Sequence, residues 1–200
     1  MIDTESNINR CIRSKPRGVL LFPDDFNKLG TPTAIRKALQ RLREKGLIKQ
    51  IAQGIYVRPK ISELIGEVMP TAEEVAQGIA KRDKIMLVPT GTYALNALGL
   101  STQVPMNLVF LTDGAPRTIK VGKRTIKLKR TTPKNLLAKG KISALVIQAL
   151  RELGKDKSTE SEIQKIVTLL KKEDKKKLMH DIDLAPVWIK NIMQQAIEQE

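Results

Sequence analysis

The stretch Thr31-Pro32-Thr33-Ala34-Ile35-Arg36-Lys37-Ala38-Leu39-Gln40-Arg41-Leu42-Arg43-Glu44-Lys45-Gly46 decides the reading of this chain. Ile35, Ala38, Leu39 and Leu42 fall at i, i+3, i+4 and i+7, the spacing that lines one face of an α-helix. Thr31 is an N-cap residue type. Pro32 suits a first helical position, where its missing N–H costs nothing. Gly46 suits the left-handed position just past a helix end. On the opposite side Thr33, Arg36, Lys37, Gln40 and Arg43 follow the same spacing, with Arg41 at the edge. That face is nearly all hydrogen-bond donors, and its one acid, Glu44, stands at the far end.

Donors of these types suit the major groove of duplex DNA. Arginine bridges guanine O6 and N7, and glutamine bridges adenine N6 and N7. A recognition helix reads bases with its N-terminal half. Thr33, Arg36, Lys37 and Gln40 are therefore assigned to base edges, and Arg41, Arg43 and Lys45 to phosphates.

The flanks complete a motif. Upstream, a helix is predicted from Ile2 to Ser14, ending ahead of Pro16, because proline disfavours helix in the residue before it. The apolar run Gly18-Val19-Leu20-Leu21-Phe22 leads to a short helix from Pro23 to Leu29, and Gly30 makes a turn. Downstream, two strand-like runs, Leu47–Ala52 and Ile55–Arg58, are joined by Gln53-Gly54 and closed by Pro59. Glycine supplies the positive φ of a tight hairpin. Helix, short helix, turn, capped helix and two-stranded wing make a winged helix-turn-helix over residues 1–60. The wing offers few contacts: Lys49, Gln50, Gln53 and Arg58. Such a module also serves in places as a protein-docking unit.

The remainder reads as a linker over 61–70 and a C-terminal domain over 71–200, α/β through 132 and mainly helical from 133. Thr71–Lys81 is a predicted helix with capping-box spacing between Thr71 and Glu74, repeated at Thr159 and Glu162. Strands are predicted at Ile85–Val88, Leu108–Leu111, Arg117–Val121 and Arg124–Lys129. Helices follow at Gly91–Leu98, from Thr132 to Leu153, and at Thr159–Leu170, Lys175–His180 and Ala185–Ile197. The expected fold class is α+β.

Charge supports a polyanionic partner. The chain holds 36 Lys and Arg against 21 Asp and Glu, for a net charge of +15. Residues 1–60 carry 13 basic and 5 acidic side chains, and residues 116–141 carry 10 basic and none acidic. Elsewhere the charge is balanced or slightly negative. The second block contains Arg117, Lys120, Lys123, Arg124, Lys127, Lys129 and Arg130. Strand alternation puts Ile126 and Leu128 on one face and Lys127 and Lys129 on the other. Extra contact with the DNA backbone, an acidic protein partner and RNA all suit this surface. So does a plain solvated edge, where lysines deter aggregation.

Aromatics make up only 3% of residues, which argues against a single-strand binder built on stacking rings. One cysteine, Cys11, excludes an internal disulfide and suits a reducing compartment. Met1-Ile2-Asp3-Thr4-Glu5 has no basic start and no apolar run after it, so no signal peptide is expected. No stretch approaches 18 apolar residues, so no membrane span is expected. His180 and Cys11 stand too far apart for a zinc spacing, and no nucleophile–base pair, P-loop or GxGxxG occurs. The expectation is a cytoplasmic binding protein, not an enzyme, with no catalytic residues, metal or cofactor.

Arg17-Gly18-Val19-Leu20-Leu21-Phe22, Asp25-Phe26, Leu29-Gly30, Ala38-Leu39-Gln40-Arg41-Leu42, Gly46 and Gly54-Ile55-Tyr56 resemble the N-terminal winged helix of abortive-infection type IV antitoxins, the AbiEi-like group. Val88-Pro89-Thr90-Gly91, Ala94-Leu95-Asn96, Leu98–Pro105, Leu111-Thr112-Asp113-Gly114 and Leu184-Ala185-Pro186-Val187-Trp188 resemble that group's second domain. The resemblance implies an autorepressor that binds inverted repeats in its own promoter. It also implies an antitoxin that counteracts a nucleotidyltransferase-like toxin, without requiring a stable complex, in phage defence. The chain departs from the group in its wing, where Lys49-Gln50-Ile51-Ala52-Gln53-Gly54 replaces an arginine-rich turn. A stand-alone repressor without a toxin, and an RNA- or protein-interaction module built on 116–141, are the alternatives.

Overall fold

The computed structural model describes residues 3–198, so Ile2, the expected start of the first helix, lies outside the described residues. The chain is mixed α+β and divides into two compact units. One is Met1–Ile79 with Ile119–Lys123, and the other is Ala80–Thr118 with Arg124–Glu200.

In the first unit, α1 (Thr4–Ser14) buries Ile8 and Ile12, four residues apart, and ends in extended backbone at Lys15. After β1 (Leu20–Leu21) comes a single 3-10 turn, Pro23–Phe26, shorter than the helix expected through Leu29. The Asp25 carboxylate accepts the Phe22 N–H at 3.0 Å, and the next backbone bonds, Asn27 N–H to Asp24 O and Leu29 N–H to Phe26 O, keep the i→i+3 pattern. Those bonds hold the segment in the tighter 3-10 form.

Helix α2 (Pro32–Glu44) forms as its sequence dictates. The Thr31 hydroxyl accepts the Ala34 N–H at 3.3 Å, and Gly46 follows with φ +71°. Its stripe Ile35, Ala38, Leu39 and Leu42 is buried with Ile8, Ile12, Leu21, Phe26 and Ile48 in one core. Thr31→Ala is expected to cost about 1 kcal/mol, because one donor of the first turn loses its acceptor. An unchanged midpoint in urea unfolding would sink that.

Strands β2 (Lys49–Ala52) and β3 (Ile55–Val57) form an antiparallel hairpin with a bulge between Gln50 and Ala52, and β1 adds to β3 in the order β1-β3-β2. The stretch read as a linker, 61–70, together with Lys60 forms a second hairpin of β4 (Lys60–Ser62) and β5 (Gly66–Val68), with Ile61 opposite Glu67. Three-residue strands are too short to show an alternating pattern.

Helix α3 (Ala72–Asp83) starts at the expected capping box: the Thr71 N–H donates to Glu74 and the Glu74 N–H to the Thr71 hydroxyl. Strand β6 (Leu87–Thr90) begins two residues later than expected. Lys84 turns the chain at φ +54° and the Ile85 N–H still bonds back to Ala80 O, so Ile85 finishes the helix instead of starting the strand. Helix α4 (Thr92–Ala97), β7 (Asn107–Thr112), β8 (Arg117–Val121) and β9 (Arg124–Arg130) follow. The sheet order is β6-β7-β9-β8, with β6 antiparallel to β7 and β7 parallel to β9. Leu108, Phe110, Ile126 and Leu128 are buried on one face.

The helix expected from Thr132 to Leu153 is broken. A 3-10 turn, Pro133–Leu136, is followed by non-helical backbone and then α5 (Lys141–Leu153). The Lys139 and Gly140 N–H groups donate to the two oxygens of Asp181, each at 2.8 Å, which withdraws them from any helical ladder. Helices α6 (Glu160–Leu170), α7 (Lys175–Ile182) and α8 (Val187–Glu198) pack with α5 around Val146, Leu150, Ile166, Leu170, Ile189 and Met193. Trp188 sits half-buried at the margin of this cluster.

Candidate nucleic-acid interface

The outward face of α2 divides into two halves. Thr33, Arg36 and Lys37 are exposed, and Arg36 and Lys37 meet no acidic side chain among the described residues. Rigid backbone carries them, since the helix is N-capped and its opposite face is buried.

The C-terminal half is committed to internal contacts. Gln40 donates to Glu44 at 2.9 Å, and Arg43 donates to Gln50 on β2 at 2.5 Å. Lys45 and Arg41 both reach Glu5 on α1, at 2.5 and 3.6 Å. The hydrogen bond from Lys45 and the Arg41 charge hold the Glu5 carboxyl below the usual carboxylate range. Glu5 therefore acts as a counterion for two of the three residues assigned to phosphates. Nothing local in the sequence marks it, because it lies 40 residues from Lys45. Arg41 and Lys45 keep about 60% of their side-chain surface exposed, so both can exchange Glu5 for a phosphate.

In the β2–β3 hairpin, Lys49 pairs with Glu67 on β5 at 3.4 Å, and Gln53 is exposed at the turn. Gln50 is held between Arg43 and the Ala52 carbonyl, and Arg58 donates to the Arg13 carbonyl.

The second basic block is also partly committed. Arg117 pairs with Asp83, which also takes Arg82, so Arg117 is structural. Burial alone would raise the Asp83 pKa, but the bonds from Arg82 and Arg117 lower it overall. On β9, Lys127 and Lys129 are exposed and alternate with buried Ile126 and Leu128, as the sequence pattern requires. Lys120, Lys123 and Arg130 are exposed, and Arg124 is half-exposed.

One constellation escaped the sequence reading. Ser143 and Asp181 are fully buried, and the Ser143 hydroxyl and His180 Nδ1 both bond Asp181, at 2.7 and 2.8 Å. The residue types are those of a hydrolytic triad. The order is not: the carboxylate stands between serine and histidine, so His180 is not placed to take the serine proton. Among the described residues no group of three metal-ligating side chains occurs, and no helix is long and apolar enough to cross a membrane.

Fold and surface thus define an α+β protein with a donor-lined, cation-rich helix face on its N-terminal unit. The chain belongs to a family described as "Family of unknown function (DUF6088)", which matches residues 7–178, most of its length. No curated protein matches it.

Proposed function

We propose that the chain is a DNA-binding transcriptional autorepressor whose first sixty residues act as a winged helix-turn-helix, with α2 in the major groove and the β2–β3 hairpin as the wing. The observation that carries this reading is the face of α2 bearing Thr33, Arg36 and Lys37: exposed donors on a rigid, capped helix, with no acid among the described residues beside the two cations. Those side chains lie in the N-terminal half of the helix, where base contacts are made. The net charge of +15 favours a polyanion. The duplex upstream of its own gene is the proposed target, read as inverted repeats.

The resemblance to AbiEi-like antitoxins extends the proposal. The protein serves as the antitoxin of a type IV abortive-infection system and counteracts a nucleotidyltransferase-like toxin. In this reading it works in the cytoplasm as a binding protein, without catalytic chemistry or cofactor.

Binding of the full chain to the upstream duplex and to a scrambled duplex, at two salt concentrations, tests the DNA reading. A preference of about 10³-fold or more that survives the higher salt is expected. Equal, steeply salt-sensitive binding to both would mean that charge alone acts, and would overturn it. For the antitoxin reading, Lys127→Glu with Lys129→Glu is expected to leave promoter binding intact and to impair growth rescue from the toxin. Full rescue by that variant would sink the role given to β9.

A further inference from the structure

We propose that two copies of this chain pair by exchanging the β4–β5 hairpin, the tip of each seating in a groove beside α1 of the other. The hairpin carries three large aliphatic side chains in the open: Leu64 is 94% exposed, Ile65 75% and Ile61 64%. Leu64 and Ile65 form the turn between the two strands, where polar residues and glycine are the usual choice. Burial within their own chain does not account for them, and neighbouring apolar side chains left in water mark an interaction surface. A two-stranded hairpin is also marginal by itself.

The groove lies in the same unit as the hairpin. It has a volume of about 670 Å³ and runs between α1 and residues 24–29. That volume is typical of a binding pocket and accommodates two aliphatic side chains. Cys11 and Leu29 line it and pack on the core of the first unit, so its apolar wall has a firm backing.

Charge fits the two surfaces to each other. Glu63 and Glu67 flank the apolar tip, and Arg10 and Lys28 line the groove. Both cations are exposed and form no ion pair among the described residues. The groove also holds Asp24 and Asp25. Asp25 accepts the Phe22 N–H at 3.0 Å, and Asp24 has its opposite in Lys60 at the base of the hairpin.

Position makes the exchange reciprocal. Arg17 donates to the Pro59 carbonyl at 3.1 Å, and Arg58 donates to the Arg13 carbonyl at 3.2 Å. The hairpin therefore springs from beside Ser14, at one end of the groove. With tip and groove side by side on one unit, a twofold axis makes both contacts at once and closes the assembly as a dimer. Tips packed on each other would make one small contact, whereas exchange makes two and moves the buried surface toward that of a stable interface. Pairing itself needs no DNA; only its consequence rests on the DNA reading, in which the dimer presents a second α2 to the other half of an inverted repeat.

Sedimentation equilibrium of the full chain, without DNA, tests the pairing. The unaltered protein is expected to reach twice the chain mass as concentration rises. Leu64→Lys with Ile65→Lys, and separately Arg10→Glu with Lys28→Glu, are each expected to raise the dimer dissociation constant by about tenfold or more. All four positions are exposed, so both variants keep the fold, which circular dichroism checks. The tip variant keeps its groove and the groove variant keeps its tip, so a mixture of the two regains one native seating and should dimerise more tightly than either alone. A monomer at every concentration overturns the proposal. So does a groove variant that dimerises like the parent, which would mean that the tips pack on each other, and so does a mixture no tighter than its components.

Discussion

Asp181→Ala is expected to destabilise the second unit by about 3–5 kcal/mol, read as a lowered midpoint in urea unfolding. Asp181 is fully buried. Its oxygens accept the Lys139 N–H, the Gly140 N–H and the Ser143 hydroxyl, and His180 Nδ1 lies 2.8 Å away. Alanine leaves two backbone donors without an acceptor and leaves the buried Ser143 hydroxyl only its longer bond to Glu173, at 3.4 Å. Each such group costs about 1–3 kcal/mol, and the costs overlap because the groups share one cavity. Glu173 works beside it, accepting the Ile142 N–H at 2.7 Å and the Ser143 N–H at 3.3 Å. The first turn of α5 thus has its orphan donors met by carboxylates from the turn between α6 and α7 and from α7, a cap supplied from a distance. A Cβ at Gly140 would collide with the Ser143 hydroxyl and the Glu173 carboxylate, so only glycine fits there.

The same carboxylate gives the protein an acid limb. Burial alone would raise the Asp181 pKa, but the bonds from His180, the two N–H groups and Ser143 outweigh it and hold the pKa below the usual value. The unfolded chain therefore takes up this proton first as pH falls. The stabilisation is complete above about pH 4 and is lost as the pH drops through the depressed native pKa. Asp181→Asn is expected to flatten the fall of stability in that acid range. A variant as stable as the parent, with the same acid slope, would mean that the α5 cap does not depend on this carboxylate.

What was legible in the sequence was local. Thr31, Thr71 and Thr159 each cap the helix they precede, because a cap is settled within three residues. The alternation in β9 and the apolar stripe of α2 are likewise short-range patterns, and burial follows both. What was hidden depends on partners far along the chain. Asp181 lies 41 residues beyond Gly140, and its two bonds break a helix that propensity alone would continue through 137–140. Glu5 neutralises Lys45 and Arg41 across α1 and α2, so periodicity identified the exposed face of α2 but not which of its cations are already paired.

That division of the α2 face sets the second large effect. Arg36→Ala with Lys37→Ala is expected to weaken binding to the upstream duplex by about 2–4 kcal/mol and to lower the preference over scrambled duplex. Arginine on a guanine edge accounts for the lost discrimination. A lysine on a phosphate would weaken both duplexes alike and reduce the salt slope by about 1. The salt dependence of each single variant therefore separates the two roles. Among the described residues neither meets an acid, and both are exposed, so stability should stay within about 0.5 kcal/mol of the parent. Arg41→Ala is the informative contrast. It removes a cation that Glu5 already engages, so its loss should cost less binding than the loss of Arg36. If the Arg36 and Lys37 variant folds normally and still prefers the upstream duplex as strongly as the parent, α2 does not enter the groove. The cations of the first unit would then act only as a general attraction for polyanions.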